Sequence, residues 1–279
     1  MPEHKVGNAS TRVFYKTLFY VSIIVILFIL LFPFVWMILA SFKKNADILN
    51  VKKMISFTPT LKNYISVFVD YDFYKPLKNS CIISCTSTIL AMALGLPCAY
   101  AIGRAKMHFF SGIILMIRIV PAISFLVPWY LLFTKLGLTG TYTSLIICHF
   151  IVSLPTIIWI MIPYFETIPK ALEESAKIDG ASNFKAFISI MIPLAKPGIF
   201  TSGILAFINS WNNFMFAQIL CSSRTTTLPI AIYQFISYAN INWGGIMAAS
   251  VIITLPIILI SFLLQRHVIT GLTAGAVKG

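Results

Sequence analysis

Six apolar windows, each of about 20 residues or more and nearly free of charge, constrain what this 279-residue chain can fold into. They lie at about 17–42, 79–103, 109–134, 141–164, 198–221 and 243–265. A helix needs roughly 20 mainly apolar residues to cross the hydrocarbon core, where every backbone N–H and C=O must be satisfied internally. The pattern predicts an all-α membrane protein with six transmembrane helices. Composition agrees, with 58% hydrophobic and 10% charged residues and a mean hydropathy of +0.90, outside the soluble range. The first window is too long for a signal-peptide core and no small-residue cleavage site follows it, so it reads as a retained span. Pro33, Pro97, Pro121, Pro128, Pro155 and Pro256 fall inside windows, where kinks are tolerated if neighbours re-satisfy the freed carbonyls. The expected division is an N-terminal segment 1–16, a six-span domain 17–265 and a tail 266–279.

The net charge of +13 is not a nucleic-acid signature, because Lys and Arg are scattered between the windows rather than gathered on one stripe. It also orients the chain poorly. An inside N-terminus puts 11 Lys and Arg in the cytoplasm and 9 outside, seven of the latter between Lys43 and Lys78. The five cysteines form no CxxC pair and lie near no histidine cluster, so they read as small hydrophobes, with neither disulfide nor metal site expected.

Missing chemistry narrows the function. No Asp or Glu falls in any window, whereas ion-coupled carriers keep titratable groups in the bilayer as coupling devices. Arg118 and His149 are the only ionisable window residues. His149 reads as a hydrogen-bonded contact between helices; Arg118 either lines a wet cavity or snorkels to a boundary. There is no G-x-x-x-x-G-K-[ST] phosphate cradle, and no nucleophile sits beside a base at motif spacing. The chain is not expected to be an enzyme, and its energy should come from a partner.

Between windows four and five, "ALEESAKIDGASNFKAFISIMIPLAKPG" interrupts the apolar pattern. Pro169 stands at a first helical position and Gly180 just past a last one, predicting a helix from Pro169 to Asp179. Ser182 then caps a second helix, limited by Pro193. In it Phe184, Phe187, Ile188 and Met191 fall at helical spacing as one apolar stripe. Two short amphipathic helices at the membrane surface follow, which either anchor a loop or engage a partner.

The run Glu174-Ser175-Ala176-x3-Gly180-x9-Ile190-x-Ile192-Pro193 closely resembles the E-A-A-x3-G-x9-I-x-L-P signature of ABC importer permeases, the loop that docks on the ATPase. Ser175 and Ile192 are small departures. "PFVWMILASFK", "LKNYISVF", "AYAIGRAKM", "NSWNNF" and the closing "MAASVIITLPIILISFLLQRHVITGLTAGAVKG" extend the resemblance over nearly the whole chain, toward the maltose-type carbohydrate branch. The resemblance implies a multi-pass permease of the bacterial cytoplasmic (inner) membrane with both termini in the cytoplasm. Its coupling hairpin, at about 166–197 between spans four and five, would act through Glu173, Glu174, Ser175, Ala176, Asp179, Gly180, Ala181, Phe184, Ile190 and Pro193. Implied partners are a second, similar permease, two copies of a cytoplasmic ATPase that holds the ATP and Mg, an extracytoplasmic sugar-binding protein and the sugar; this chain itself would hold no cofactor. The family often carries an acid after Trp-Asn, where this chain has Asn213.

In the fifth window, "FINSWNNFMFAQ" places Asn209, Trp211, Asn212 and Asn213 in an apolar helix. With Arg118 they are the candidate substrate pathway, since a sugar needs amide partners for its hydroxyls and an aromatic platform for its ring face. The other use of such amides is to zip the helix to a partner permease. Two further readings of the chain are a self-contained secondary transporter or channel for a small polar solute, and a structural membrane subunit. The first is disfavoured by the absence of carboxylates in the windows, and the second has no need of the surface hairpin.

Overall fold

The computed structural model describes residues 9–236 and 241–274, with side chains described from 13 to 263 outside that gap. The closing GAVKG motif and Arg266 lie outside the described residues and side chains, respectively. The main helices are α1 (Ala9–Ser41), α2 (Lys62–Val69), α3 (Tyr74–Arg104), α4 (His108–Ile119), α5 (Leu126–Lys135), α6 (Tyr142–Thr167), α7 (Lys170–Ile178), α8 (Asn183–Leu194), α9 (Lys196–Trp211), α10 (Met215–Leu220) and α11 (Trp243–Ala274).

Among the described residues, four segments are long and apolar enough to cross a membrane unbroken: Val13–Ser41, Tyr74–Arg104, Tyr142–Thr167 and Trp243–Leu263. Six result if each of two bent pairs counts as one span. The third window, where Pro121 and Pro128 predict a kinked helix, is broken and bent by 82° between α4 and the turn that leads into α5. Pro121 is the cause. It has no N–H to donate and pushes Val120 into extended backbone, φ −65° and ψ 121°, so α4 stops at Ile119. The fifth window is not one helix either. Its helix α9 meets α8 at 81°, ends at Trp211, and restarts as α10 only at Met215. The first and last helices overrun their windows, starting at Ala9 and running to Ala274.

The chain divides into two compact units. In the first, residues 1–70 and 235–252, the segment after α1 folds back on the end of that helix. Lys43 is fully buried: its Nζ donates to the Met54 carbonyl at 2.6 Å and lies 4.6 and 4.7 Å from the ring centroids of Trp36 and Phe57. Asn63 Nδ2 donates to the carbonyls of Ser41 and Lys43 at 2.7 and 2.8 Å. One of the seven lysines in this segment is thus an internal pin, held by cation–π contacts and a hydrogen bond.

In the second unit, residues 71–234 and 253–279, α3 packs along α6. Ala91, Gly95, Ala99 and Gly103 recur every fourth residue on the buried side of α3, the small-residue pattern that lets membrane helices approach closely. A Cβ on Gly95 would stand 2.9 Å from Ile157 Cγ2. Phe165, Phe187 and Met191 complete the core at one end, while Phe133, Leu145 and Phe216 form a second cluster. A polar zipper ties three helices together: Ser87 Oγ and Ser210 Oγ are 3.0 Å apart, and Ser210 Oγ is 2.7 Å from His149 Nδ1. His149 is the buried contact between helices that its sequence setting predicts.

Candidate functional site

The hairpin of α7 and α8 is built by its caps. Pro169 is the N-cap and Lys170 the first helical residue, one position later than expected. At the other end Gly180 has φ +85°, the left-handed region that a residue with a Cβ enters at a cost. Ala181 N donates to Ala176 O at 2.9 Å and Gly180 N to Lys177 O at 3.0 Å, the paired bonds of a Schellman stop. Ser182 Oγ accepts from Lys185 N at 3.2 Å and starts α8.

The single apolar stripe expected on α8 is split. A π-helical turn over Phe187–Met191 changes the residue spacing, burying Phe187 and Met191 while Phe184 (74% exposed) and Ile188 face outward. With Ile178, 86% exposed, Phe184 gives the hairpin an apolar outer surface. Glu174, Ser175, Asp179, Gly180 and Pro193 are also exposed, and Ala176, Ala181 and Ile190 half-buried.

Adjacent glutamates part company here. Glu173 is 8% exposed. Its Oε1 accepts from Tyr100 Oη at 2.6 Å and pairs with Lys177 Nζ at 3.1 Å, and its Oε2 lies 3.0 Å from Arg104 Nε, an ion pair without hydrogen-bond alignment. Arg104 also donates from Nη1 to the Ile168 carbonyl at 2.7 Å and from Nη2 to Met191 Sδ at 3.3 Å. The end of α3 therefore grips the chain before α7, α7 itself and α8. Burial pushes the Glu173 carboxyl up, but hydrogen bonds from Tyr100 and Lys177 and the charges of Lys177 and Arg104 outweigh it, holding the group below the usual carboxylate range. A cavity of about 340 Å³ opens beside this node, lined by Arg104, Lys170, Glu173, Glu174 and Lys177. Sequence reasoning missed Tyr100 and Arg104. The available signal was a charge just past the end of the second window, seven residues after Pro97 and next to Gly103.

A second cavity, of about 370 Å³, opens at the break between α4 and α5. Arg118, Phe125, Trp129, Thr156 and Asn209 are among its lining residues. The Arg118 guanidinium lies 5.9 Å from the Trp159 ring centroid. Phe125, Trp129 and Phe216 stack in series, with centroids 5.5 and 5.2 Å apart. Of the pathway candidates, Arg118 and Asn209 meet at this cavity. Trp211, Asn212 and Asn213 are not among its lining residues. Trp211 is 2% exposed, stacks on Phe207 and donates from Nε1 to the Ile253 carbonyl at 3.1 Å. Asn212 is the exposed C-cap of α9, and Asn213 Oδ1 accepts from Phe216 N at 3.1 Å at the start of α10. Because α9 ends at Trp211, Asn209 and Asn213 do not form the single amide edge that a continuous helix would give them.

Residues 91–273 match the family described as the binding-protein-dependent transport system inner membrane component. The chain is 35% identical over 273 residues to the probable ABC transporter permease protein y4oR of Sinorhizobium fredii, covering 97% of this chain and 98% of that protein. It is 36% identical over 275 residues to the trehalose/maltose transport system permease protein MalG of Thermococcus litoralis, covering 95% and 97%. Among solved structures, a chain of a bacterial ABC transporter involved in the import of the acidic polysaccharide alginate shares the fold with a TM-score of 0.77 at 21% identity, covering 95% of this chain and 99% of that one.

Proposed function

The chain belongs to the family of binding-protein-dependent transport system inner membrane components, and from that premise we propose that it is one permease of an ATP-driven sugar importer in a bacterial inner membrane. It forms half of the translocation pathway and docks on the ATPase through the Glu174–Pro193 loop. The sugar follows from the carbohydrate-transporting relative that it matches along almost its whole length. The chain performs no chemistry on the solute. ATP and Mg belong to a partner ATPase, present in two copies, and a second permease and an extracytoplasmic sugar-binding protein complete the assembly.

The observation that carries the docking role is the contrast between Glu173 and its surroundings. The hairpin is clamped from within by Tyr100 and Arg104, while Glu174, Ile178 and Phe184 are displayed on its outer side. A rigid element with an apolar, charge-flanked outer surface suits the transfer of a partner's movement to the spans. In this reading the hairpin and both termini face the cytoplasm, Lys43 to Lys78 face outward, and each bent pair of helices is taken up in one of six spans. Asn209 and Arg118 flank the solute, Trp211 supports the α9 wall, and Asn212 and Asn213 sit at the break where that wall ends.

The test is purification of the chain with its co-encoded partners into proteoliposomes. Sugar uptake should require ATP on the ATPase side and the binding protein on the other. Uptake by the chain alone, without nucleotide, would establish a self-contained carrier instead.

A further inference from the structure

We infer that the cavity at the break in the third span receives the anionic group of an acidic sugar, with Arg118 as its charge partner; this rests on the reading of the chain as a sugar permease. The helix α4 begins at His108 and rises 1.5 Å per residue, so Arg118 stands about 15 Å along it, one residue before it ends at Ile119 and inside the third apolar window. A cation within an apolar window is costly and marks function by default. Arg118 is exposed, and its guanidinium lies against Trp159 of α6 and lines the cavity together with Asn209 of α9. Among the described residues no carboxylate pairs with it, and none lines the cavity wall.

The rest of the wall already meets the needs of a neutral sugar. Phe125 and Trp129 offer an apolar platform, Thr156 a hydroxyl and Asn209 an amide. The volume of about 370 Å³ lies within the range of small-molecule sites. What remains is a permanent positive charge in a fork that matches a carboxylate or sulfonate with two parallel hydrogen bonds. A neutral ligand would leave that charge without a counter-ion in an apolar setting. A uronate or sulfonated sugar brings one.

The experiment uses the complete importer in nanodiscs, with Trp129 and Trp159 beside the cavity as fluorescent reporters. It is titrated with digalacturonate and with the neutral galactobiose of the same linkage, and uptake of both is measured in proteoliposomes. The acidic disaccharide should bind about tenfold more tightly or better. Arg118→Gln should erase that preference, Arg118→Lys should retain part of it, and added salt should reduce it in the wild type. Equal affinity for the two sugars in the wild type overturns the inference, as does an acid preference that survives Arg118→Gln. If Arg118→Gln prevents assembly, the Arg118→Lys and salt series decide: a wild-type preference indifferent to both shows that Arg118 pairs with a carboxylate of the partner permease instead. Failure of the sugar-permease reading looks different. In that case no sugar, acidic or neutral, enters the liposomes or stimulates ATP hydrolysis.

Discussion

Arg104 Nε and Glu173 Oε2 lie 3.0 Å apart, joining the end of one long helix to a surface hairpin. Both side chains are 11% exposed, so the pair is held largely out of water. Removing one partner strands the other's charge, and breaking such pairs costs about 3–5 kcal/mol when burial is complete and less here. Arg104→Gln and Glu173→Gln should each lower the melting temperature of the purified importer and uncouple ATP hydrolysis from sugar uptake. The double variant should lose less than the sum of the two single losses, by 0.5 kcal/mol or more. A double-mutant cycle measures this, and strict additivity would show that the pair does not act as a unit.

The same carboxyl predicts a pH dependence. Its folded-state pKa lies below the ordinary value, so its contribution is complete above the unfolded-state pKa of about 4.3 and is lost as pH falls through the lower folded value. The stability gap between wild type and Glu173→Gln should therefore be flat above about pH 5 and narrow below about pH 4. Melting curves of both proteins across that range supply the check.

Gly180 is constrained by conformation, since at φ +85° an added Cβ meets no heavy atom within 4 Å. Gly180→Val should cost about 1 kcal/mol or more at this left-handed stop, re-aim α8 and abolish uptake while the chain still inserts. Gly180→Asn should retain substantial uptake, because Asn visits the left-handed region readily. Equal loss in both variants would point to a need for open space at the partner surface rather than for backbone geometry.

Trp211 and Asn209 should separate packing from passage. Trp211→Phe removes the hydrogen bond to Ile253 and should lower stability by about 0.5–1.5 kcal/mol without altering which sugars compete. Asn209→Ala should leave stability nearly unchanged and alter the ranking of competing sugars, because its side chain is exposed at the cavity. Competition assays on a sugar panel, read alongside thermal melts, would show a reversed pattern if the roles were exchanged.

Topology can be probed at Asn50, exposed in the lysine-rich segment. On a cysteine-free background, Asn50→Cys should react with an impermeant thiol reagent added from outside. Labelling only from the cytoplasmic side would invert the proposed orientation.

Much of the architecture was written in the chain because the bilayer permits so few solutions. Long apolar runs must be helices there, and the runs at 17–42, 79–103, 141–164 and 243–265 each contain or largely overlap an unbroken helix. Caps are equally local. Gly180 and Ser182 mark the turn of the hairpin because a left-handed stop and a side-chain cap depend only on the few residues beside them. Hydropathy carried no comparable signal for helix breaks. An apolar helix and an apolar bend have the same composition, so hydropathy runs on through the 82° break at Pro121, where the proline itself marked a kink but not its size, and through the end of α9 at Trp211.

Tertiary structure alone decided which polar groups meet. Glu173 and Glu174 are identical neighbours in sequence, yet the packing of α3 against the hairpin buries one on Tyr100 and Arg104 and leaves the other exposed. Arg118 and Asn209 belong to different windows, and only the bend at Pro121 and the placement of α9 open a cavity that both line. The local code sets helix, cap and hydrophobic face, since those depend on neighbours along the chain. The clamp and the cavity depend on contacts between distant helices, and no window of sequence contains them.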